Sequence, residues 1–138
     1  MKKLCLIVVL LFFISLVLLG CQPNTDNENS NNQITKVSIS NSKGFGEVST
    51  DFIIVFEDEE TLETFQNTIT KAKKREGIVD MIDPKFDLEV IYKDGTKKEY
   101  HLWVGEKGGN SSLMNVDNTH AVYSISEEFT NQLISLIK

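Results

Sequence analysis

His101 and His120, with Cys5 and Cys21, are the side chains of this 138-residue chain best suited to proton, metal or nucleophile chemistry. The cysteines are quickly bounded. Cys5 lies inside an apolar N-terminal run and Cys21 at its end, so the chain from Ile34 onward is free of cysteine. A cysteine nucleophile and a disulfide staple are both excluded there, and stability must come from the core. The histidines fall on different segments. A zinc site would need further ligands beside them at helical or hairpin spacing, and a Ser-His-Asp hydrolase would need a nucleophile elbow or a comparable turn. Neither pattern surrounds His101 or His120, so a small hydrolase or metal-dependent enzyme would have to bring the two together by folding. Residues 106–112 hold Gly108 and Gly109 but not the Lys-Ser/Thr of a phosphate-cradling loop. Glu57-Asp58-Glu59-Glu60 lacks the alternating oxygen ligands and turn glycine of a calcium loop, and reads as an acidic helix start. No cofactor and no metal is expected.

Cys21 has a different chemistry. Met1-Lys2-Lys3 supplies a positive start, and residues 4–19 are apolar apart from Ser15, which is the pattern of a secretory signal. Sixteen residues fall short of the roughly 20 that a membrane-crossing helix needs. Leu18-Leu19-Gly20-Cys21 resembles the lipobox of bacterial lipoproteins, with a small residue before the cysteine and Leu18 three positions ahead of it. The resemblance implies a thioether from Cys21 to diacylglycerol and cleavage between Gly20 and Cys21. Leu19 is bulkier than the pattern usually carries. Two acyl chains hold a protein to a membrane far more durably than one, so the expected location is the extracytoplasmic face of the cell membrane.

Loss of residues 1–20 removes Lys2 and Lys3, leaving 12 basic side chains against 20 acidic and a net charge of −8. Such a surface repels phosphate backbones and anionic headgroups, which disfavours nucleic acid as a partner. Lys71, Lys73, Lys74 and Arg75 form the one basic cluster and read as a solvated helix end. Residues 22–33 are polar and Asn-rich, with Pro23 the only apolar ring, and are expected to be a disordered tether reaching roughly 20 Å. Residues 34–138 are of a size for a single domain with one core.

Within that domain, Val37 and Ile39 alternate with Lys36, Ser38 and Ser40, the period of a half-buried strand. Phe52-Ile53-Ile54-Val55-Phe56 is uniformly apolar and reads as a central strand covered on both faces. Asp58 caps a helix whose apolar face is Leu62, Phe65, Ile69 and Ala72, with Gly77 ending the run. Residues 78–84 read as a packed connector ending at Asp83-Pro84. Asp94-Gly95 marks a hairpin. A three-residue loop of Lys93, Asp94 and Gly95 pairs Val90 with Lys98, Leu88 with Tyr100 and Phe86 with Leu102, which gathers the apolar residues on one face. A one-residue slip would send half of them into water. The same register sets Asp87 against His101, Lys85 against Trp103 and Glu89 against Glu99, the last a like-charge pair that counts against it. Residues 113–116 and 121–125 read as strands, and Ser126 caps a last helix with Phe129, Leu133, Leu136 and Ile137 on its apolar face.

These elements give an α+β fold: an antiparallel sheet of about six strands with two helices on one face, in the order β-β-α-β-β-β-β-α. Trp103 then shares the other face with charged groups. Helices or strands cover it, or it and His101 mark a contact for a partner.

Several stretches taken together resemble the YhfM-like domain of small lipoproteins from low-GC Gram-positive, spore-forming bacteria. They are Phe56-Glu57-Asp58, Lys73-Lys74-Arg75-Glu76-Gly77-Ile78-Val79-Asp80-Met81, Tyr92-Lys93-Asp94-Gly95, Leu102-Trp103-Val104-Gly105 and Thr119-His120-Ala121-Val122-Tyr123. The resemblance implies the fold and the anchored location, and it carries no established activity. The expected function is that of a membrane-anchored, non-enzymatic binding module of the cell envelope, its partner an envelope protein, peptide or wall component. The alternative is the small envelope hydrolase or metal-dependent enzyme using His101 and His120.

Overall fold

The computed structural model describes residues 32–77 and 79–137. The signal segment, Cys21 and residues 22–31 of the tether lie outside the described residues. The elements are β1 (Ile34–Asn41), β2 (Phe52–Phe56), α1 (Glu59–Lys71), β3 (Lys73–Lys74), β4 (Phe86–Tyr92), β5 (Lys97–Trp103), β6 (Ser111–Asn115), β7 (Val122–Ile125) and α2 (Glu127–Ile137). The seven strands form one antiparallel sheet in the order β2-β1-β4-β5-β6-β7-β3. The fold is α+β as expected, with one strand more than the sequence suggests. The addition is β3. The first helix stops at Lys71 and Ala72 turns extended, so Lys73 and Lys74 pair with Ser124 and Tyr123 of β7 instead of lengthening the helix towards Gly77.

Alternation along the strands builds the core on the helix side. Val37, Ile39, Leu88, Val90, Leu102, Leu113 and Ile125 are buried beneath Leu62 and Phe65 of α1 and Leu133 of α2. Each such side chain contributes about 1.5–3 kcal/mol when fully buried. The Asp58 carboxylate accepts from the Thr61 amide at 3.0 Å and caps α1. Thr61, through its side chain first and then this amide, holds the Asp58 pKa below the ordinary carboxylate value. At α2, buried Thr130 donates to the Ser111 hydroxyl at 2.9 Å, and Ser111 accepts from the Gly105 amide, which ties the helix to the start of β6.

The β4–β5 hairpin has the register that its side-chain pattern demands: Val90 faces Lys98, Leu88 faces Tyr100 and Phe86 faces Leu102. Tyr92 donates its amide to the Thr96 carbonyl, and Gly95 takes φ +85° in the three-residue loop between them. The like-charge pair Glu89–Glu99 is present, and Lys97 neutralises it. The Lys97 ammonium lies 2.7 Å from Glu99 and 3.7 Å from Glu89, and the Glu99 contact raises its pKa.

The place of β2 corrects the expectation of a central strand. Among the described residues it pairs with β1 alone and forms one margin of the sheet. Ile54 and Phe56 reach the core, while Phe52, Ile53 and Val55 stay exposed. An unbroken apolar run therefore does not report two covered faces here. The connector before β4 is only partly packed as well where it is described, since Pro84 is buried and Ile82 stands in solvent.

Candidate functional site

The sheet face turned away from the helices carries Ser38 and Ser40 of β1, Asp87 and Glu89 of β4, Glu99, His101 and Trp103 of β5, and Met114 of β6. Two connections reach this face. Residues 42–51, between β1 and β2, bond to Asp87 and His101, and Ile82, in the connection from β3 to β4, bonds to Trp103.

The first loop is latched to an ionisable pair. Asp87 Oδ1 lies 2.7 Å from His101 Nδ1 across the β4–β5 ladder, and both side chains are 0% exposed. Asp87 Oδ2 accepts from the Ser49 amide at 2.9 Å, and the Ser40 hydroxyl donates to the Ser49 carbonyl at 2.6 Å. On its far side, His101 Nε2 lies 3.2 Å from the Gly46 carbonyl. A carbonyl oxygen only accepts, so Nε2 is the donor of that bond. Both nitrogens are thus committed within the protein. The local sequence accounts for the latch. Gly44 and Gly46 have φ of +109° and +120°, which turns the loop back so that the Gly46 carbonyl points at the imidazole.

Phe45 sits between those two glycines. Its ring centroid lies 6.0 Å from His101 and 5.9 Å from Trp103. Trp103 donates its indole N–H to the Ile82 carbonyl at 2.8 Å, which fastens the second loop. Trp103 is therefore half-buried, and its cover comes from loops, where helices or strands were the expectation.

The structure does not bring His101 and His120 together. His120 is exposed in the turn between β6 and β7, while His101 is sealed in with no free lone pair. Among the described residues no group of three His, Cys, Asp or Glu side chains is placed to hold a metal ion. Nε2 meets a carbonyl where a Ser-His-Asp site would present a hydroxyl. His101 is also unavailable as a partner contact, because the first loop covers it. Exposure passes to residues that the sequence reading left aside: Phe45 is 52%, Ile53 51%, Val55 48% and Ile82 82% exposed. The signal in the sequence was Phe45 itself, a large apolar residue set among glycines in a loop with no core to enter.

A cleft of about 620 Å³ lies elsewhere, between the start of β1 and the first turns of α1, with Glu57, Glu59 and Glu63 around Leu62. It is open to solvent and distant in the fold from the latched pair. No helix among the described residues is long and apolar enough to cross a membrane.

The model of the YhfM protein family matches residues 29–138. No curated protein matches the chain in sequence. Among solved structures, the chain is similar in fold to a thioesterase-like protein from Clostridium sporogenes, with a TM-score of 0.59 and 21% identity over 75% of this chain and 93% of that one.

Proposed function

The chain belongs to the YhfM family, and for it we propose the role of a membrane-anchored binding module of the cell envelope, held by diacylglycerol on Cys21 and engaging an envelope protein, peptide or wall component. The observation that carries this reading is the set of exposed apolar side chains on the helix-free side: Phe45 and the Ile82 segment beside Trp103, with Val55 opposite Ser38. Exposed apolar groups gathered on one side of a small domain are a common mark of a contact surface. The latch beneath them gives that surface a fixed shape, since Phe45 is positioned by flanking backbone bonded to His101 and Asp87.

The likeness to the thioesterase-like protein concerns fold and brings no acyl-transfer residues to this chain. His101, the side chain best placed in the sheet for proton transfer, is spent on holding a loop.

The anchor and the surface are tested separately. Labelled fatty acid is expected to join the native chain and to be lost from Cys21→Ser. A photo-crosslinking side chain at Phe45 or Val55 of the full chain, in cells, is expected to capture the same envelope component. One at Glu128, exposed on α2, is expected to miss it. Capture of nothing at either position, or equal capture at all three, overturns the surface reading.

A further inference from the structure

The apolar side of α2 is wider than the core needs. Leu133 is sealed in the core, and Phe129, Leu136 and Ile137 pack against its border. Ile134 is half-buried but stands outside that packing. It lines a cleft of about 550 Å³ instead, with Ile137 one turn further along the same wall. The sheet supplies the facing wall. Phe86 opens β4, and Val104 follows β5 two positions beyond Leu102, so that alternation sets both on the helix side. A volume of this size falls among pockets that hold small ligands.

Two ammonium groups border the cleft. Lys85 precedes Phe86, and its Nζ lies 5.5 Å from the centroid of that ring. Lys107 stands in the turn after Val104. Both side chains are exposed, and among the described residues neither is in an ion pair. Glu106 lies beside them, so the rim carries two positive charges and one negative.

We propose that this cleft binds a fatty acid, its carboxylate between Lys85 and Lys107 and its hydrocarbon chain along Phe86, Val104, Ile134 and Ile137. Apolar walls beneath a charged rim select an amphiphile over a fully polar solute. The net single positive charge selects one anionic head, which two compact ammonium groups meet as point charges. A phosphate monoester brings a second negative charge, and Glu106 opposes it. The cleft lies on the helix side of the sheet, opposite Phe45, so the proposal stands independently of the contact surface.

The test uses the full chain in an extract of cells that make it, with dodecanoate carrying a diazirine at its tail as the photoprobe. Illumination is expected to place the adduct on the peptides that hold Val104, Ile134 and Ile137. Unlabelled dodecanoate is expected to remove it, while equal dodecanol or dodecyltrimethylammonium leaves it. Lys85→Gln/Lys107→Gln is expected to reduce the adduct about fivefold, the reach of two exposed ion pairs. Glu106→Gln is expected to increase it about twofold. All three residues are exposed, and a thermal melt verifies that the fold is kept. Ile134→Trp, which fills the cleft, is expected to abolish the adduct at Ile137. No adduct at these peptides, even labelling along the chain, displacement by dodecanol as good as by dodecanoate, or indifference to the charge changes overturns the proposal. Stronger displacement by dodecyl phosphate overturns the carboxylate assignment.

Discussion

Asp87 and His101 face each other across β4 and β5 with 2.7 Å between Oδ1 and Nδ1, and neither side chain reaches solvent. The pair is the anchor point of the loop above it, since Asp87 also binds the Ser49 amide and His101 the Gly46 carbonyl. Removing one partner strands the other polar group in a dry site, at a cost of about 3–5 kcal/mol. Asp87→Ala and His101→Ala are each expected to lower stability by that order in urea melts. The double variant is expected to cost clearly less than the sum of the two. Additive losses would show that the pair does not act as a unit.

The same latch predicts a local effect. In His101→Gln the amide can keep one of the two bonds, so the sheet holds while the loop of residues 42–51 loosens. Hydrogen exchange at Gly46 and Ser49 is expected to quicken before that of β4 or β5 amides. Uniform quickening across the sheet would contradict a latch confined to the loop.

Tyr100 predicts the alkaline limit. Burial, with Tyr92 beside it, pushes its pKa well above the ordinary tyrosine value. The folded chain therefore keeps this proton where the unfolded chain releases it. The contribution to stability is whole below the unfolded value of about 10 and is lost as pH rises towards the folded value. Tyrosinate absorbance is expected to show Tyr100 ionising together with loss of the circular dichroism signal, and Tyr100→Phe is expected to weaken that dependence. Free titration of every tyrosine in the folded state would overturn the assignment.

Asp58 predicts part of the acid limb. Its pKa is lowered by Thr61 at the start of α1, so its contribution is present above the unfolded value of about 3.9 and fades as pH falls through the lower folded one. Asp58→Ala is expected to lower the thermal midpoint at neutral pH and to flatten the slope below pH 4. Asp58→Asn, which also caps, is expected to stay close to the parent at neutral pH.

Gly105 predicts a steric effect. A Cβ there would run into the Asn110 carbonyl, at a turn whose amide is tied to Ser111. Gly105→Ala is expected to cost about 1–3 kcal/mol, the usual range for overpacking. An unchanged melt would mean that the Gly105–Asn110 approach is looser than described.

What the residues disclosed and withheld follows from the range of the forces involved. The β4–β5 register was readable because three loop residues and an alternating pattern fix it locally, and Lys97 removed the objection that Glu89 and Glu99 raised. The Asp58 cap was readable for the same reason. The margin position of β2 was not, because its neighbours are chosen by long-range pairing and an apolar pentapeptide looks alike at the centre or the rim. The burial of His101 was equally hidden. It depends on two glycines returning a loop over the sheet, and the spacing of His101 from Gly46 says nothing of that.

The opposite rim of the sheet differs sharply. Strand β3 has two residues, both lysines and both exposed. Two cationic residues offer an incoming strand little backbone to pair with, so the sheet has no means of growing from that rim.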